Sequence, residues 1–134
     1  MDGLRILLVE DEPTASEALQ ALFHSCGAQA RIANSVPEAM AIFEVWQPNV
    51  LVSDIAMPGE DGYSLIRKIR QRTAAQGGTI PAVAPTAYAK IEDRLTILSA
   101  GFQMYLAKPA DPNELIAVVG SLARHRVPGE PLVG

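Results

Sequence analysis

The chain has 134 residues, of which 49% are apolar and 19% are charged, and its formal net charge is −4. This length fits one domain with one core, and the mild acidity argues against direct nucleic-acid binding, which usually needs a basic patch. The single cysteine, Cys26, excludes an intrachain disulfide, and no apolar stretch approaches the ~20 residues that span a bilayer, so we expect a cytoplasmic chain with no membrane partner.

Short apolar runs alternate with amphipathic segments from the N-terminus onward. The pattern predicts strands at 4–9, 28–33, 50–53, 80–84 and 103–107, each followed by a helix. Helix starts are indicated by Pro13, by the Ser35-x-x-Glu38 spacing and by Asp111-Pro112. We expect one domain over 1–126 and a linker-like tail over 127–134.

Two helices of this series have distinctive surfaces. In the third helix, a basic cluster has the spacing of a solvated helix face: Arg67, Lys68, Arg70 and Arg72. In the fourth, Ile91, Leu95 and Leu98 recur at helical spacing. The alternation of strands and helices implies an α/β fold with a parallel sheet and helices on both faces. Right-handed crossovers then favour a doubly wound topology.

Polar residues follow the predicted strands at the points where they end. Glu10 and Asp11 follow the first strand, Asp54 follows the third, Thr86 closes the fourth and Lys108 closes the fifth. In an open parallel sheet, ligands bind at the carboxyl ends of the strands, so we expect these side chains to meet there.

The chemistry of such a cluster follows from its residue types. Crowded carboxylates repel one another unless a cation lies among them, and an oxygen-only site suits Mg²⁺ or Mn²⁺. A carboxylate can attack phosphorus to give an acyl phosphate, and a lysine, a hydroxyl and a metal supply the charge neutralisation that phosphoryl transfer needs. Neither His24 nor His125 lies near a strand end, so both are interpreted as surface residues.

Five short motifs appear in order along nearly the whole chain: Val9-Glu10-Asp11-Glu12, Ser53-Asp54-Ile55-Ala56-Met57-Pro58-Gly59, Asp61-Gly62, Pro85-Thr86-Ala87-Tyr88 and Tyr105-Leu106-Ala107-Lys108-Pro109. They resemble, in order and spacing, the motifs of response-regulator receiver domains of two-component signalling. The resemblance implies a flavodoxin-like five-stranded parallel sheet of order 2-1-3-4-5.

The resemblance also implies roles for the matching residues. Asp54 would be phosphorylated from the phosphohistidine of a histidine kinase or histidine phosphotransfer protein. Mg²⁺ would be held by Asp11, Asp54 and the backbone carbonyl of Ala56, with Glu10 helping directly or through water. The implied result is a signalling domain rather than an enzyme, with Mg²⁺-dependent self-phosphorylation and slow autodephosphorylation.

The remaining motif residues would sense and transmit the modification. Lys108 would pair with the phosphoryl group, Thr86 would donate its hydroxyl to it, and Tyr105 would turn inward as an aromatic switch. The surface of helix four, strand five and helix five would then change shape, and a homodimer through that surface is left open. Residues 100–109 further resemble receivers fused to hybrid sensor histidine kinases, with a free-standing regulator as the alternative.

One departure from the family pattern bears on the switch. Pro85 precedes Thr86 inside the predicted fourth strand, and proline removes a donor from a sheet. We therefore expect a bulge or an early strand end at Pro85. A pseudo-receiver that only binds partners is the alternative function that this departure supports.

Two further alternatives are less well supported. A metal-dependent phosphohydrolase would carry a second acid two residues after the nucleophile, where this chain has Ala56. A flavin-binding module would need a hydroxyl- and glycine-rich loop after the first strand, whereas the acidic run at 10–12 would repel a phosphate.

Overall fold

The computed structural model describes residues 2–57, 59–87 and 90–124. The predicted tail 127–134 and the predicted domain boundary at 126 lie outside these residues, as do Pro58, Tyr88 and His125. No helix of the described ranges is both long enough and apolar enough to cross a bilayer.

Over the described ranges, five strands alternate with five α-helices, as the sequence predicts. The elements are β1 (Arg5–Val9), α1 (Pro13–Ser25), β2 (Gln29–Ala33), α2 (Val36–Trp46), β3 (Val50–Ser53), α3 (Gly62–Arg70), a 3-10 turn (Ala74–Gln76), β4 (Ala82–Thr86), α4 (Ile91–Ala100), β5 (Met104–Ala107) and α5 (Pro112–Arg124). The largest difference from the prediction is β4, which begins and ends two residues later than the predicted range 80–84.

The strands form one parallel sheet in the order β2-β1-β3-β4-β5, so the predicted fold class and strand order are confirmed. Alternate residues of β1 point to the two faces of the sheet. Leu7 and Val9 join a core cluster with α2, α3 and α4, whereas Ile6 and Leu8 join a cluster with α1 and α5. A strand buried on both faces explains the continuous apolar run that the sequence shows here.

The expected bulge or early strand end at Pro85 is wrong. The pairing of β4 with β5 runs without interruption from Val83 to Thr86. Hydrogen bonds of a parallel strand alternate between its two neighbours. Gln103 N donates to Ala82 O over 3.0 Å and Lys108 N donates to Thr86 O over 2.8 Å, so Pro85 faces β3. The β3–β4 pairing ends at Val83, so the missing N–H of Pro85 falls on the β3 side and leaves the pairing with β5 intact.

The basic cluster of α3 is not simply a solvated face. Arg70 is half-buried and its guanidinium donates to Gly101 O over 2.8 and 3.0 Å, to Gly78 O over 2.9 Å and to Gln103 Oε1 over 3.0 Å. These bonds fasten the end of α3 to the loops before β4 and β5. Lys68 and Arg72 make ion pairs with Glu60 and Glu44, respectively.

The apolar residues whose spacing predicts α4 lie mostly outside the core. Ile91, Leu95 and Leu98 are 73%, 64% and 43% exposed, and Ile97 is the fully buried residue of this helix. Met104 of the neighbouring β5 is also exposed, at 41%. We refer to Ile91, Leu95, Leu98 and Met104 as the α4 stripe.

Candidate functional site

The carboxyl ends of β1, β3, β4 and β5 carry the predicted site residues. Backbone hydrogen bonds hold three of them against the neighbouring strand: Glu10 N donates to Ala33 O over 3.1 Å, Asp54 N to Val9 O over 3.0 Å and Lys108 N to Thr86 O over 2.8 Å. The sheet therefore sets the position of each residue before any side chain makes a contact.

Three carboxylates converge at this edge. Glu10, Asp11 and Asp54 each offer an oxygen, and these oxygens lie within 4.8 Å of one another. Glu10 is buried, and the Asp54 side chain is only 13% exposed. The N-cap of α1 is Glu12, whose carboxylate accepts from Thr14 N and Ala15 N. Glu10 and Asp11 therefore do not serve as that cap.

Lys108 supplies the positive charge of the cluster. Its ammonium donates to Glu10 Oε1 and to Asp54 Oδ2, both over 3.0 Å, although the two residues lie 98 and 54 positions away in the chain. Partial burial alone would lower the pKa of Lys108, but the two carboxylates outweigh it and hold the pKa above its ordinary value. Lys108 is therefore a cation throughout the neutral range.

Glu10 has an unusual environment for an acid. Burial raises the pKa of its carboxyl group, the bond from Lys108 opposes that change, and neighbouring Asp54 adds to it. Its Oε2 atom is buried without a hydrogen-bond partner among the described residues. A buried, unpaired carboxylate oxygen is costly. An oxygen-seeking cation would remove that cost.

The donor set fits Mg²⁺. It contains only oxygens, two of its three carboxylates are largely buried, and one of these, Glu10, has a buried oxygen without a partner among the described residues. Small hard divalent cations prefer such ligands and keep several waters. Ala56, the predicted source of a backbone carbonyl, is exposed and lines a groove of about 640 Å³ beside the cluster, together with Met57, Asp61 and Tyr63.

The two carboxylate oxygens of Asp54 have different partners. Oδ1 accepts from Ile55 N over 2.7 Å, while Oδ2 accepts from Lys108. The buried Ser53 hydroxyl donates to Asp54 O over 2.9 Å and fixes the backbone on the other side. Asp54 is thereby held in one orientation, with Oδ2 beside the positive charge.

Gly62 is a site-supporting residue for which the sequence assigned no role beyond its motif. A Cβ at this position would lie 2.4 Å from Asp54 O and 2.9 Å from Ile55 Cα, and Gly62 N donates to Ile55 O over 2.9 Å. Asp61 caps α3 by accepting from Ser64 N. The Asp61-Gly62 pair thus starts α3 directly against the Asp54 backbone, where only glycine fits.

The two predicted switch residues lie on the β4–β5 side of the site. Thr86 is fully buried at the end of β4, and Tyr105 of β5 pairs with Ala84. The Tyr105 ring is half-buried, with the Arg94 guanidinium 5.5 Å from its centroid. Four predicted residues, Glu10, Asp11, Asp54 and Lys108, therefore form one cluster, and Thr86 adjoins it through the backbone of Lys108.

Comparison with known proteins gives consistent matches. Residues 6–120 match the family described as the response regulator receiver domain. An uncharacterized 14.6 kDa protein in the sodA1 3′ region of Leptolyngbya boryana is 44% identical over 114 residues, covering 85% of this chain and 86% of that protein. Response regulator Rre1 of Synechocystis sp. is 35% identical over 122 residues, covering 90% of this chain. This chain spans about half of Rre1, 52% of its length.

A solved structure agrees with the fold and with the nature of the site. The receiver domain of sensor histidine kinase PA1611 from Pseudomonas aeruginosa superimposes with a TM-score of 0.82 at 33% identity, covering 91% of this chain and 98% of that one. That structure holds a magnesium ion coordinated in its active-site cleft.

Proposed function

The chain belongs to the response regulator receiver domain family, and on this premise we propose that Asp54 accepts a phosphoryl group from the phosphohistidine of a histidine kinase or histidine phosphotransfer protein. The observation that carries the proposal is the orientation of Asp54. Its Oδ1 is held by Ile55 N while Oδ2 lies 3.0 Å from Lys108 Nζ, which also donates to Glu10 Oε1.

In this proposal Asp54 Oδ2 attacks phosphorus, the P–N bond of phosphohistidine breaks, and the imidazole nitrogen keeps the electron pair. Lys108 lies where the charge of the phosphoryl group arrives, and the Thr86 hydroxyl would donate to a phosphoryl oxygen. Mg²⁺, held by Glu10, Asp11, Asp54 and the Ala56 carbonyl, would supply charge neutralisation for the same oxygens.

Hydrolysis of the acyl phosphate is proposed to be slow. A fast hydrolase would place an acid near the phosphoryl group to activate water. The residue two positions after Asp54 is Ala56, whose exposed methyl group can neither accept nor donate a proton. This favours a signalling domain with slow autodephosphorylation over a phosphohydrolase.

The direct test is intact mass after incubation with acetyl phosphate and Mg²⁺. We expect a Mg²⁺-dependent gain of one phosphoryl group in the native chain and none in Asp54→Asn. Asp93→Asn is the matched control, because Asp93 lines the neighbouring groove but lies outside the acidic cluster. No gain in the native chain would contradict the proposal and make the pseudo-receiver the better account.

We further propose that the modification is transmitted to the α4–β5–α5 face. Support comes from Thr86 and Tyr105 on adjacent strands and from the exposed α4 stripe on this face. Inverting a 1:99 equilibrium needs about 5.5 kcal/mol of differential stabilisation. A multiply charged phosphoryl group bound by Lys108, Thr86 and a metal could supply a large part of it.

The setting of the domain is also a proposal. We place the receiver unit at 1–126, in the cytoplasm, where kinase or phosphotransfer partners present phosphohistidine. Two arrangements are proposed: a free-standing regulator, and the receiver of a hybrid sensor kinase, which the likeness to the PA1611 receiver supports.

A further inference from the structure

A second cavity lies at the opposite end of the sheet from the acidic cluster. It has a volume of about 200 Å³ and is bounded by the start of β1, the end of α2 and the 3-10 turn. We call it the Arg5 pocket; its lining is Arg5, Phe43, Gln47, Pro48, Asn49 and 74–77. At roughly 3.3 Å per strand residue, Arg5 lies about 16 Å from Glu10. The two sites are therefore separate.

The side chain of Arg5 lacks a partner in this pocket. Its Nε is buried and donates to no atom of the described ranges 2–57, 59–87 and 90–124. A guanidinium has five N–H donors in a planar fork and never deprotonates near neutral pH. A buried donor without an acceptor is costly. The buried Nε is out of reach of a ligand, so an acceptor in the pocket would meet the terminal NH₂ groups of the guanidinium, which form no ion pair with a described residue.

The lining favours an anion. Arg5 is the single charged residue among the described residues of the lining, and none of these is a carboxylate. Glu44, which follows the lining residue Phe43, is taken by Arg72 in an ion pair. A guanidinium without a competing carboxylate is a strong site for planar or tetrahedral oxyanions.

Two carboxamides of the lining have their oxygens engaged by backbone N–H groups. Asn49 Oδ1 accepts from Arg5 N over 2.7 Å, and Gln76 Oε1 accepts from Thr73 N over 3.1 Å. Because both oxygens are used, the NH₂ group of each side chain is the end left for a ligand. One guanidinium and two amide donors around a small space match the acceptors of a small oxyanion.

We propose that the Arg5 pocket binds a small oxyanion, such as inorganic phosphate or a short carboxylate, through the Arg5 guanidinium. The volume is below the 300–1,000 Å³ typical of sites for drug-sized ligands, so a nucleotide does not fit. The inference does not depend on phosphorylation of Asp54.

The test is an NMR titration of amide signals without Mg²⁺, at fixed pH and ionic strength, with potassium phosphate replacing potassium chloride. We expect saturable shifts centred on Asn49, Gln76 and Gly77. In Arg5→Gln the affinity should fall at least tenfold, while Arg67→Gln, at an exposed position of α3, should bind as the native chain does.

A second variant keeps the test decisive if Arg5→Gln does not fold. Gln76→Glu retains the acceptor for Thr73 N but adds a negative charge to the lining, so phosphate shifts should vanish while the fold remains. Parallel titration with acetate separates tetrahedral from planar oxyanions, and saturation by either one supports the pocket. No saturation by either probe, unchanged affinity in both variants, or shifts confined to Glu10 and Asp54 would overturn the proposal.

Discussion

Lys108 balances the charge of the acidic site, and its replacement tests that role. In Lys108→Met the apolar stem remains but the donor to Glu10 and Asp54 is lost. A charge-assisted hydrogen bond contributes about 1.5–3 kcal/mol, so we expect phosphorylation by acetyl phosphate to slow about tenfold to a hundredfold. Lys68→Met is the control, because Lys68 pairs with exposed Glu60 away from the site.

The pH dependence of stability gives a second measure of Lys108. Its pKa is raised in the folded chain, so its contribution is complete below the unfolded lysine pKa of about 10.4. That contribution is lost as pH rises from this value through the folded pKa. Urea unfolding of the native chain and Lys108→Met should differ equally from pH 6 to 9 and converge above about pH 10. A difference that grows in alkali would contradict this assignment.

Gly62 tests how closely the start of α3 must approach Asp54. The methyl group of Gly62→Ala would overlap Asp54 O and Ile55 Cα, both of which are backbone atoms. Overpacking of this kind costs about 1–3 kcal/mol. We expect a lower unfolding midpoint and slower phosphorylation, since relief of the overlap moves the Asp54 backbone. An unchanged midpoint with an unchanged phosphorylation rate would show that the approach is not required.

At the scale of elements, Arg70 fastens α3 to the loops that precede β4 and β5. Arg70→Met keeps much of the stem but removes the donors to Gly78, Gly101 and Gln103. Carbonyl oxygens left without these bonds should lower the free energy of unfolding by about 2–3 kcal/mol.

The control for Arg70 is Arg67→Met, one turn earlier on the same helix. Arg67 is exposed and stacks loosely over Tyr63, with 5.7 Å between its guanidinium carbon and the ring centroid. Urea denaturation of both variants gives the comparison. Equal losses of stability would mean that the bonds of Arg70 contribute nothing beyond those of a surface arginine.

The sequence predicts the positions of helices and strands better than it predicts the contacts and the exposure of their side chains. Strand ends and polar residues locate the acidic cluster, because parallel strands bring their carboxyl ends to one edge. Local spacing does not show that Arg70 meets acceptors 31 residues away, nor that the apolar spacing of Ile91, Leu95 and Leu98 faces outward. The outcome at Pro85 depends on which neighbour its nitrogen faces, and that is a property of the assembled sheet.

At the scale of the whole molecule, the α4 stripe is the apolar surface with which we expect a second copy to pair. Leu95→Lys places a charge at a position 64% exposed, so the fold should keep its thermal midpoint. We expect weaker self-association of the phosphorylated chain by analytical ultracentrifugation, because a charge in an apolar interface must be desolvated.

Val45→Lys is the control for the stripe. Val45 lies on α2, outside the stripe, and is 86% exposed. Val45→Lys should leave self-association of the phosphorylated chain as it is in the native chain. Equal sedimentation of all three proteins, with and without acetyl phosphate, would remove the α4 stripe as a dimer surface.

The short pairing between β3 and β4 has a mechanical consequence. Among the described residues, Leu51 pairs with Ala82 and Val52 with Val83, and the pairing of β3 with β4 ends there, before either strand ends. On one side of this boundary, β1 and β3 lead into the three carboxylates. On the other side, β4 and β5 lead into Thr86 and Lys108. Pro85 offers no amide hydrogen that could extend the pairing of β4 with β3. We therefore expect a group bound at Asp54 to change the separation of β3 and β4 at this end, where their backbone pairing has stopped.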